Sequence, residues 1–309
     1  MIITLTMNPA LDKTVEVECL TPGKLNRIQN IQIDAGGKGI NVSKMIDSLG
    51  GESIATGFIA GKSGGKLLKI INNFGFKQDF LEIVGDIRTN TKILDKKHGV
   101  TELNETGLTL SKKDEKNICD KLIQLATTDT IFILSGSLPM GVEDNFYQKL
   151  IRALKEKGAK VFLDADGEAF KLGLEAKPNY IKPNLEELTQ YFQISEDISL
   201  SKIKQLCSKL IDKGIELVTV SMGKNGAVFV TKKEAFYTPK LEVYASSTVG
   251  AGDSIVGALA YGLEQKMPLE SVIKLSVAAA SGAVMTQGTK APSKELVEQL
   301  KENVTIEKV

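Results

Sequence analysis

The stretch from residue 130 to 164 opens with Thr130-Ile-Phe-Ile-Leu134 and closes with Lys160-Val-Phe-Leu-Asp164; between them Tyr147, Leu150, Ile151 and Leu154 are spaced i, i+3, i+4, i+7. The two outer runs have the length and β-branched or aromatic content of buried strands, and the middle spacing is one face of an amphipathic helix. Strand, helix, strand is a βαβ unit, which requires a parallel pair. The same alternation recurs outward. Strands are expected at Ile2–Thr6, Ser53–Phe58, Tyr180–Lys182 and Glu216–Ser221. Helices are expected around Val42/Met45/Ile46/Leu49 and Ile203/Leu206/Cys207/Leu210. The expectation is an α/β fold with a doubly wound, mostly parallel sheet covered by helices on both faces. With no internal repeat, low-complexity tract or Pro/Gly/Ser linker, residues 1–309 are expected to form one domain.

Two stretches depart from this pattern. Lys13–Asp34 and Arg88–Glu105 alternate apolar and polar residues with no helix between, and Lys96-Lys-His-Gly99 supplies a turn. Period-2 segments of this kind predict a small antiparallel sheet projecting from the main body, built from about 13–34 and 88–105. Ordinary edge strands of the main sheet are the alternative. A projecting sheet has one face that no helix covers, so a ligand, an active-site mouth or a second subunit is expected there.

Composition narrows the function. The chain has 39 Lys+Arg and 38 Asp+Glu, 42% apolar and 25% charged residues, with mean hydropathy near zero. That is a globular composition. A net charge of +1 gives no general pull on nucleic acid or acidic lipid, so neither is an expected partner. Cys19, Cys119 and Cys207 lie far apart and are odd in number, which reads as buried thiols, not a disulfide framework. The single histidine, His98, reads as a solvated turn residue, and zinc, Cys–His and Ser–His–Asp chemistries lack partners. Met1–Thr6 lacks a basic leader and reads as a strand; no run has the length of a membrane span, so the expected compartment is the cytoplasm.

Two glycine clusters carry the chemistry. Asp34-Ala-Gly-Gly-Lys-Gly-Ile-Asn41 opens one helix, and Ser247-Thr-Val-Gly-Ala-Gly-Asp-Ser254 opens another. Glycines let the backbone approach a ligand, and helix N-termini attract anions. A Walker A loop fails, because Gly61-Lys-Ser63 has Thr56 where the first glycine belongs. A dinucleotide fingerprint fails too, since Gly37-Lys-Gly39 is followed by Val42 in the third position. Asp253 could serve as a first-turn carboxylate favoured by the macrodipole. After Gly250-Ala-Gly252 it is also a carboxylate base beside an anion hole, the pair needed to transfer a phosphoryl group to a hydroxyl. Asp164 and Asp166 fit a turn and helix-cap role best, with a position near transferred phosphates as the alternative for Asp164.

Six ordered motifs resemble those of the ribokinase/PfkB sugar kinases. They are Met7-Asn-Pro-Ala-Leu-Asp12, Ala35-Gly-Gly-Lys-Gly-Ile-Asn41, Ser135-Gly-Ser-Leu-Pro139, Lys182-Pro-Asn-Leu-Glu-Glu187, Ser221-Met-Gly-Lys-Asn-Gly226 and Thr248-Val-Gly-Ala-Gly-Asp253. The resemblance covers essentially the whole chain and is strongest to the phosphosugar branch, the 1-phosphofructokinases and tagatose-6-phosphate kinases. It implies a ribokinase-like fold whose small sheet acts as a lid, ATP and Mg²⁺ as cofactors, and a phosphosugar as acceptor. Fructose 1-phosphate is the expected acceptor, with Thr248–Ser254 and Leu103-Asn-Glu105 closer to the first group. Tagatose 6-phosphate is the alternative, and a sugar-phosphate binding protein that has lost the chemistry is the remoter one.

Residue by residue, the resemblance makes Asp253 the base and Gly250, Ala251 and Gly252 the anion hole. It puts Asp12, Gly36, Gly37, Asn41, Asn90 and Ser137 on the sugar, with Lys38 and Arg88 on the phosphate that the sugar already carries. Ser221, Gly223, Gly226 and Val249 line the nucleotide, and the helix around Ala278–Gly282 covers the adenine. Asn184 and Glu187 fall in the metal–phosphate region, Glu187 through water. Lys182 either meets nucleotide phosphates or is a solvated surface lysine. A homodimer through the lid sheets is expected.

Overall fold

The computed structural model describes residues 1–195, 198–244, 249–286 and 288–309; Ser247 and Thr248 of the second glycine cluster lie outside the described residues. In chain order the first half comprises β1 (Ile2–Thr6), β2 (Ala10–Val17), β3 (Asn30–Gly36), α1 (Lys38–Ser48), β4 (Ser53–Ala60), α2 (Gly61–Ile71), β5 (Lys77–Ile83), β6 (Arg88–Asp95), β7 (Gly99–Asn104), α3 (Lys112–Leu125) and β8 (Ile131–Ser135). The second half comprises α4 (Phe146–Glu156), β9 (Lys160–Asp164), α5 (Gly167–Glu175), β10 (Tyr180–Ile181), α6 (Leu185–Tyr191), α7 (Leu200–Asp212), β11 (Leu217–Ser221), β12 (Ala227–Thr231), β13 (Ala235–Thr238), α8 (Ala251–Glu264), α9 (Leu269–Met285), α10 (Lys294–Lys301) and β14 (Glu307–Lys308).

A ten-stranded sheet has the order β14-β13-β12-β11-β10-β9-β8-β1-β4-β5, and a separate four-stranded sheet has the order β3-β2-β6-β7. From β11 through β5 the large sheet is parallel; β12, β13 and β14 add an antiparallel edge. The architecture is ribokinase-like. Central strands are buried on both faces and send alternate residues to two cores. On β8, Phe132 and Leu134 join one core and Ile133 the other; on β9, Val161 and Leu163 oppose Phe162. Helices α2, α3, α4, α5 and α7 cover the first core, and α1, α8, α9 and α10 the second.

The predicted βαβ unit is present, with Thr130–Leu134 realised as Ile131–Ser135. Strands β5, β12, β13 and β14 are additional to those predicted. The small sheet differs from the expectation in two ways. Residues 18–29 are not strand: Gly23 turns with φ 73°, and the Asn26 side chain bonds Thr21 N, Thr21 O and Lys24 O, spending backbone groups that a ladder would need. The sheet is also not wholly antiparallel, because β2 pairs with β6 in parallel; the long connection through β3 to β5 permits that. His98 is exposed at the β6–β7 turn and contacts Asp95 Oδ2 at 2.8 Å. Only Cys207 is fully buried; Cys19 and Cys119 are partly exposed, which corrects the buried-thiol reading for those two.

From β1 the chain proceeds to β4 on one side and later to β8 on the other. Ligands bind beyond the carboxyl ends of strands at such a switch point.

Candidate active site

Cavities open at that edge. The smaller, about 130 Å³, is bounded by Thr6 and Ser135 at the ends of β1 and β8, together with Asn8, Lys38, Arg88 and Ser137. Four of the residues that bound it carry a buried polar atom without a protein hydrogen-bond partner: Thr6 Oγ1, Asn8 Oδ1, Arg88 Nε and Ser135 Oγ. The Arg88 NH1 and NH2 groups donate to Glu105 O at 3.4 Å and Asn8 O at 3.2 Å. Lys38 is the first residue of α1, after Gly37 with φ 115°; a Cβ on Gly37 would lie 2.6 Å from Thr6 Cγ2.

The larger cavity, about 470 Å³, is bounded by Asn184, Ser221, Gly223 and Gly226 on one side and Ala251 and Gly252 on the other. Helix α9 contributes Ala280 and Ser281, within the predicted Ala278–Gly282 segment. Leu241 and Val243 line it as well; as isolated apolar residues in a loop they give no sequence signal. Val249 lies outside this cavity and borders a small space with Gly250, Asn41 and Thr289.

Asp253 stands in the first turn of α8, buried at 8% exposure. Burial pushes its carboxyl up to about 6; the neighbouring Lys38 and the Asn41 hydrogen bond pull the other way. Asn41 Nδ2 donates to Asp253 Oδ2 at 2.8 Å. The two helix starts meet because Gly257 lets α8 press on α1: a Cβ there would lie 2.8 Å from Met45 Cβ.

Beside them is a buried ion triad. Asp164, 1% exposed, receives Lys182 at 3.3 Å and Lys38 at 3.5 Å on the same oxygen. Burial alone would raise the Asp164 pKa, but the two ammonium groups hold it below the ordinary carboxylate range. Asp164 in turn holds the Lys38 pKa above its usual value. This corrects the turn and helix-cap reading of Asp164, which ends β9 facing the lysines. Asp166 is at the N-cap of α5 but makes no side-chain cap bond, and it borders the smaller cavity. Lys182 is 5% exposed, so the solvated-surface alternative is excluded. A Cβ on Gly252 would be 3.4 Å from Lys182 Nζ, which puts that cation over the α8 N-terminus.

Asp12 is buried on β2 and accepts from Asn90 Nδ2 at 3.1 Å. Gly36 is required beside it: a Cβ would be 2.5 Å from the Asp12 carboxyl carbon. Asn184 and Glu187 form a reciprocal capping box on α6, Glu187 N donating to Asn184 Oδ1 at 2.7 Å and Asn184 N to Glu187 Oε2 at 2.8 Å. Burial raises the Glu187 pKa. Among the described residues the only His/Cys/Asp/Glu trio within 4.8 Å is Cys19, Asp95 and His98, on the small sheet. The Gly61-Lys-Ser63 turn does not act as a phosphate loop: Ser63 N and Oγ donate to Asp86.

Sequence reasoning passed over Lys44. Its position on the apolar face of α1, three residues after Asn41, breaks the amphipathic pattern and was the available signal.

Asp253 is thus a buried carboxylate in the first turn of α8, the helix whose Ala251 and Gly252 line the larger cavity. The sequence profile of the pfkB family carbohydrate kinases matches residues 5–296, and the chain belongs to that family. It is 34% identical over 306 residues to a 1-phosphofructokinase of Bacillus subtilis, covering 99% of both chains. It is 32% identical over 277 residues to a tagatose-6-phosphate kinase of Staphylococcus epidermidis, covering 89% of both. The structure of phosphofructokinase-2 from Escherichia coli in complex with substrates and products matches with a TM-score of 0.93 at 27% identity, covering 98% of each chain.

Proposed function

We propose that this carbohydrate kinase transfers the γ-phosphoryl group of ATP to D-fructose 1-phosphate, giving D-fructose 1,6-bisphosphate, in the cytoplasm. The observation that carries the reading is the pairing of Lys38 and Arg88 at a cavity of about 130 Å³ adjoining the Asp253 neighbourhood. That volume and charge suit the phosphate of an acceptor that is already phosphorylated. Asp253 takes the proton from the sugar 6-hydroxyl as that oxygen attacks the γ-phosphorus. The N–H groups of Gly250, Ala251 and Gly252, with Lys182 above them, stabilise charge on the transferring group. Asp12, Asn41, Asn90 and Ser137 bind sugar hydroxyls, and Gly36 and Gly37 let the ring lie against backbone. Ser221, Gly223 and Gly226 line the nucleotide with α9 under the adenine, and Val249 leads into the anion hole.

The residues present fit Mg²⁺. Asp164 offers Oδ2, since its Oδ1 faces Lys182 and Lys38, and the capping box leaves Glu187 Oε1 free of that bond. Hard oxygen donors that reach the ion through water, together with nucleotide phosphates, are the usual Mg²⁺ arrangement. Asn184, whose Oδ1 is engaged in the cap, orients Glu187. Bound there, the ion would neutralise charge on the phosphates.

Tagatose 6-phosphate is the second reading, favoured by the similarity to the Staphylococcus epidermidis kinase. A 2-ketofuranose carries a CH₂O group at each end, so a site that holds one end as phosphate and activates the other nearly accepts either molecule in flipped orientation. A non-catalytic binding protein is disfavoured, because a pure binder gains nothing from a buried carboxylate at Asp253. A homodimer through the four-stranded sheets is part of the proposal, with exposed Ile31 and Leu103, which the ladder puts on one face, as the apolar residues to be covered. Coupled assay of ADP release with each phosphosugar tests the substrate. Higher kcat/KM on fructose 1-phosphate is expected; higher kcat/KM on tagatose 6-phosphate reverses the assignment.

A further inference from the structure

Lys44 is 3% exposed, on α1 beneath the two glycine clusters. Its Nζ donates to Ala35 O, to Asn41 Oδ1 at 3.2 Å and to Thr289 Oγ1 at 3.5 Å. Asn41 Nδ2 then donates to Asp253 Oδ2 at 2.8 Å. An amide has one accepting end and one donating end, an ammonium only donates, and an ionised carboxylate only accepts. Only one orientation of the Asn41 amide satisfies both neighbours.

We infer that Lys44 is a positioning residue for the Asp253 base: by holding Asn41 Oδ1 it aims the Asn41 NH₂ at the carboxylate and keeps Asp253 ionised. The inference rests on the reading of Asp253 as the base. Without Lys44 the amide is free to turn by a half rotation. Its oxygen would then face Asp253, a contact that is favourable only when Asp253 carries a proton. The result is a base that stays protonated to higher pH.

The charged surroundings agree. Asp34, Asp12 and Lys92 of the small sheet and Asp253 of α8 face Lys44, and burial lowers its pKa to about 8. Lys38, Asp164 and Lys182 face Asp253 in addition to Asn41. A buried lysine is costly unless its bonds are made. Three acceptors from β3, α1 and the Thr289 loop make them here, and the same bonds tie the first glycine cluster to the base.

The test is the pH profile of kcat/KM for Lys44→Met, which keeps side-chain length and removes the charge. The acid limb is expected to move up by about one pH unit. Turnover near pH 6.5 should fall about threefold, approaching tenfold below about pH 5, and recover above about pH 8, with KM for ATP unchanged. Lys44→Arg should return the limb toward the wild-type position, and in an Asn41→Leu background Lys44→Met should cause no further shift. If Lys44→Met fails to fold, Lys44→Gln, whose amide still donates to Ala35 O, carries the same expectation. An unshifted limb in a folded variant, or an undiminished shift without Asn41, overturns the inference. An Asp253→Asn variant with wild-type turnover would instead overturn the base assignment.

Discussion

Lys38 Nζ lies 3.5 Å from Asp164 Oδ1, and that pair links the start of α1 to the end of β9 across the carboxyl edge of the sheet. Lys182 reaches the same oxygen at 3.3 Å, so one buried anion holds two cations together. Asp164→Asn leaves both lysines facing each other without a counter-charge. Removing one partner of a buried pair costs about 3–5 kcal/mol, and the lower end applies because Lys38 is a third exposed. The folded-state pKa of Asp164 is depressed, so its stabilisation is complete above its unfolded value and is lost as pH falls through the folded one. Thermal denaturation should show a large deficit for the variant at pH 7 that shrinks below about pH 4.

Asp253 has the opposite sign. Its carboxyl is pushed up to about 6 by burial, so the folded state holds a proton that the unfolded chain has lost. Stability falls as pH rises from about 4 to about 6, by roughly 2–3 kcal/mol, and stays lower above. Asp253→Asn should therefore raise the melting temperature at pH 7. An equal or lower value would mean that the carboxylate is satisfied where it stands.

If Asp253 is the base, as proposed, the same value sets the acid limb of catalysis. For the wild-type enzyme kcat/KM should fall about tenfold per unit below pH 6, with a single-proton slope. A limb centred near pH 4 would indicate an unperturbed base.

On the proposed function, in which Lys38 meets the substrate phosphate, Lys38→Ala removes a charge-assisted contact worth roughly 1.5–3 kcal/mol. KM for fructose 1-phosphate should rise by about 10- to 100-fold with KM for ATP little changed. Arg88→Ala should act in the same direction, and the double variant should show less than the summed loss because both serve one phosphate. Loss of ATP affinity with sugar affinity kept would mean that the two ends of the site are reversed.

Gly36→Ala probes the proposed sugar-binding role of Gly36 and Asp12 without touching charge. Its Cβ would come 2.5 Å from the Asp12 carboxyl carbon, forcing Asp12 away from Asn90. KM for the sugar should rise while ATP binding measured by calorimetry is unaffected.

What the sequence made legible follows from local physics. The Ile2–Thr6 and Lys160–Asp164 strands and the α1 and α4 faces were readable because burial on both sides writes continuous apolar runs and periodic faces. The parallel pairing of β2 with β6 was not, since register and direction depend on partners distant in sequence. The glycine clusters and Asp253 stood out because backbone approach and a helix-start carboxylate need particular residues at fixed spacing. Lys44 does not stand out, and Asp164 reads first as a turn residue with phosphate proximity as the alternative, because each takes its meaning from a neighbour brought up by folding: Asn41 for Lys44, Lys182 for Asp164. In isolation an aspartate after a strand looks like a turn residue, and a lysine in a helix looks solvated.

The central claim is that Asp253 is the general base, and the most direct measurement is kcat of Asp253→Asn beside its ATP affinity and its folded fraction. The expected kcat is lower by about 10²–10⁴-fold, or roughly 3–5 kcal/mol at the transition state, in a protein that folds and binds ATP as before. A variant that turns over at the wild-type rate in its folded fraction would contradict it and leave Asp253 as a helix-terminal carboxylate only.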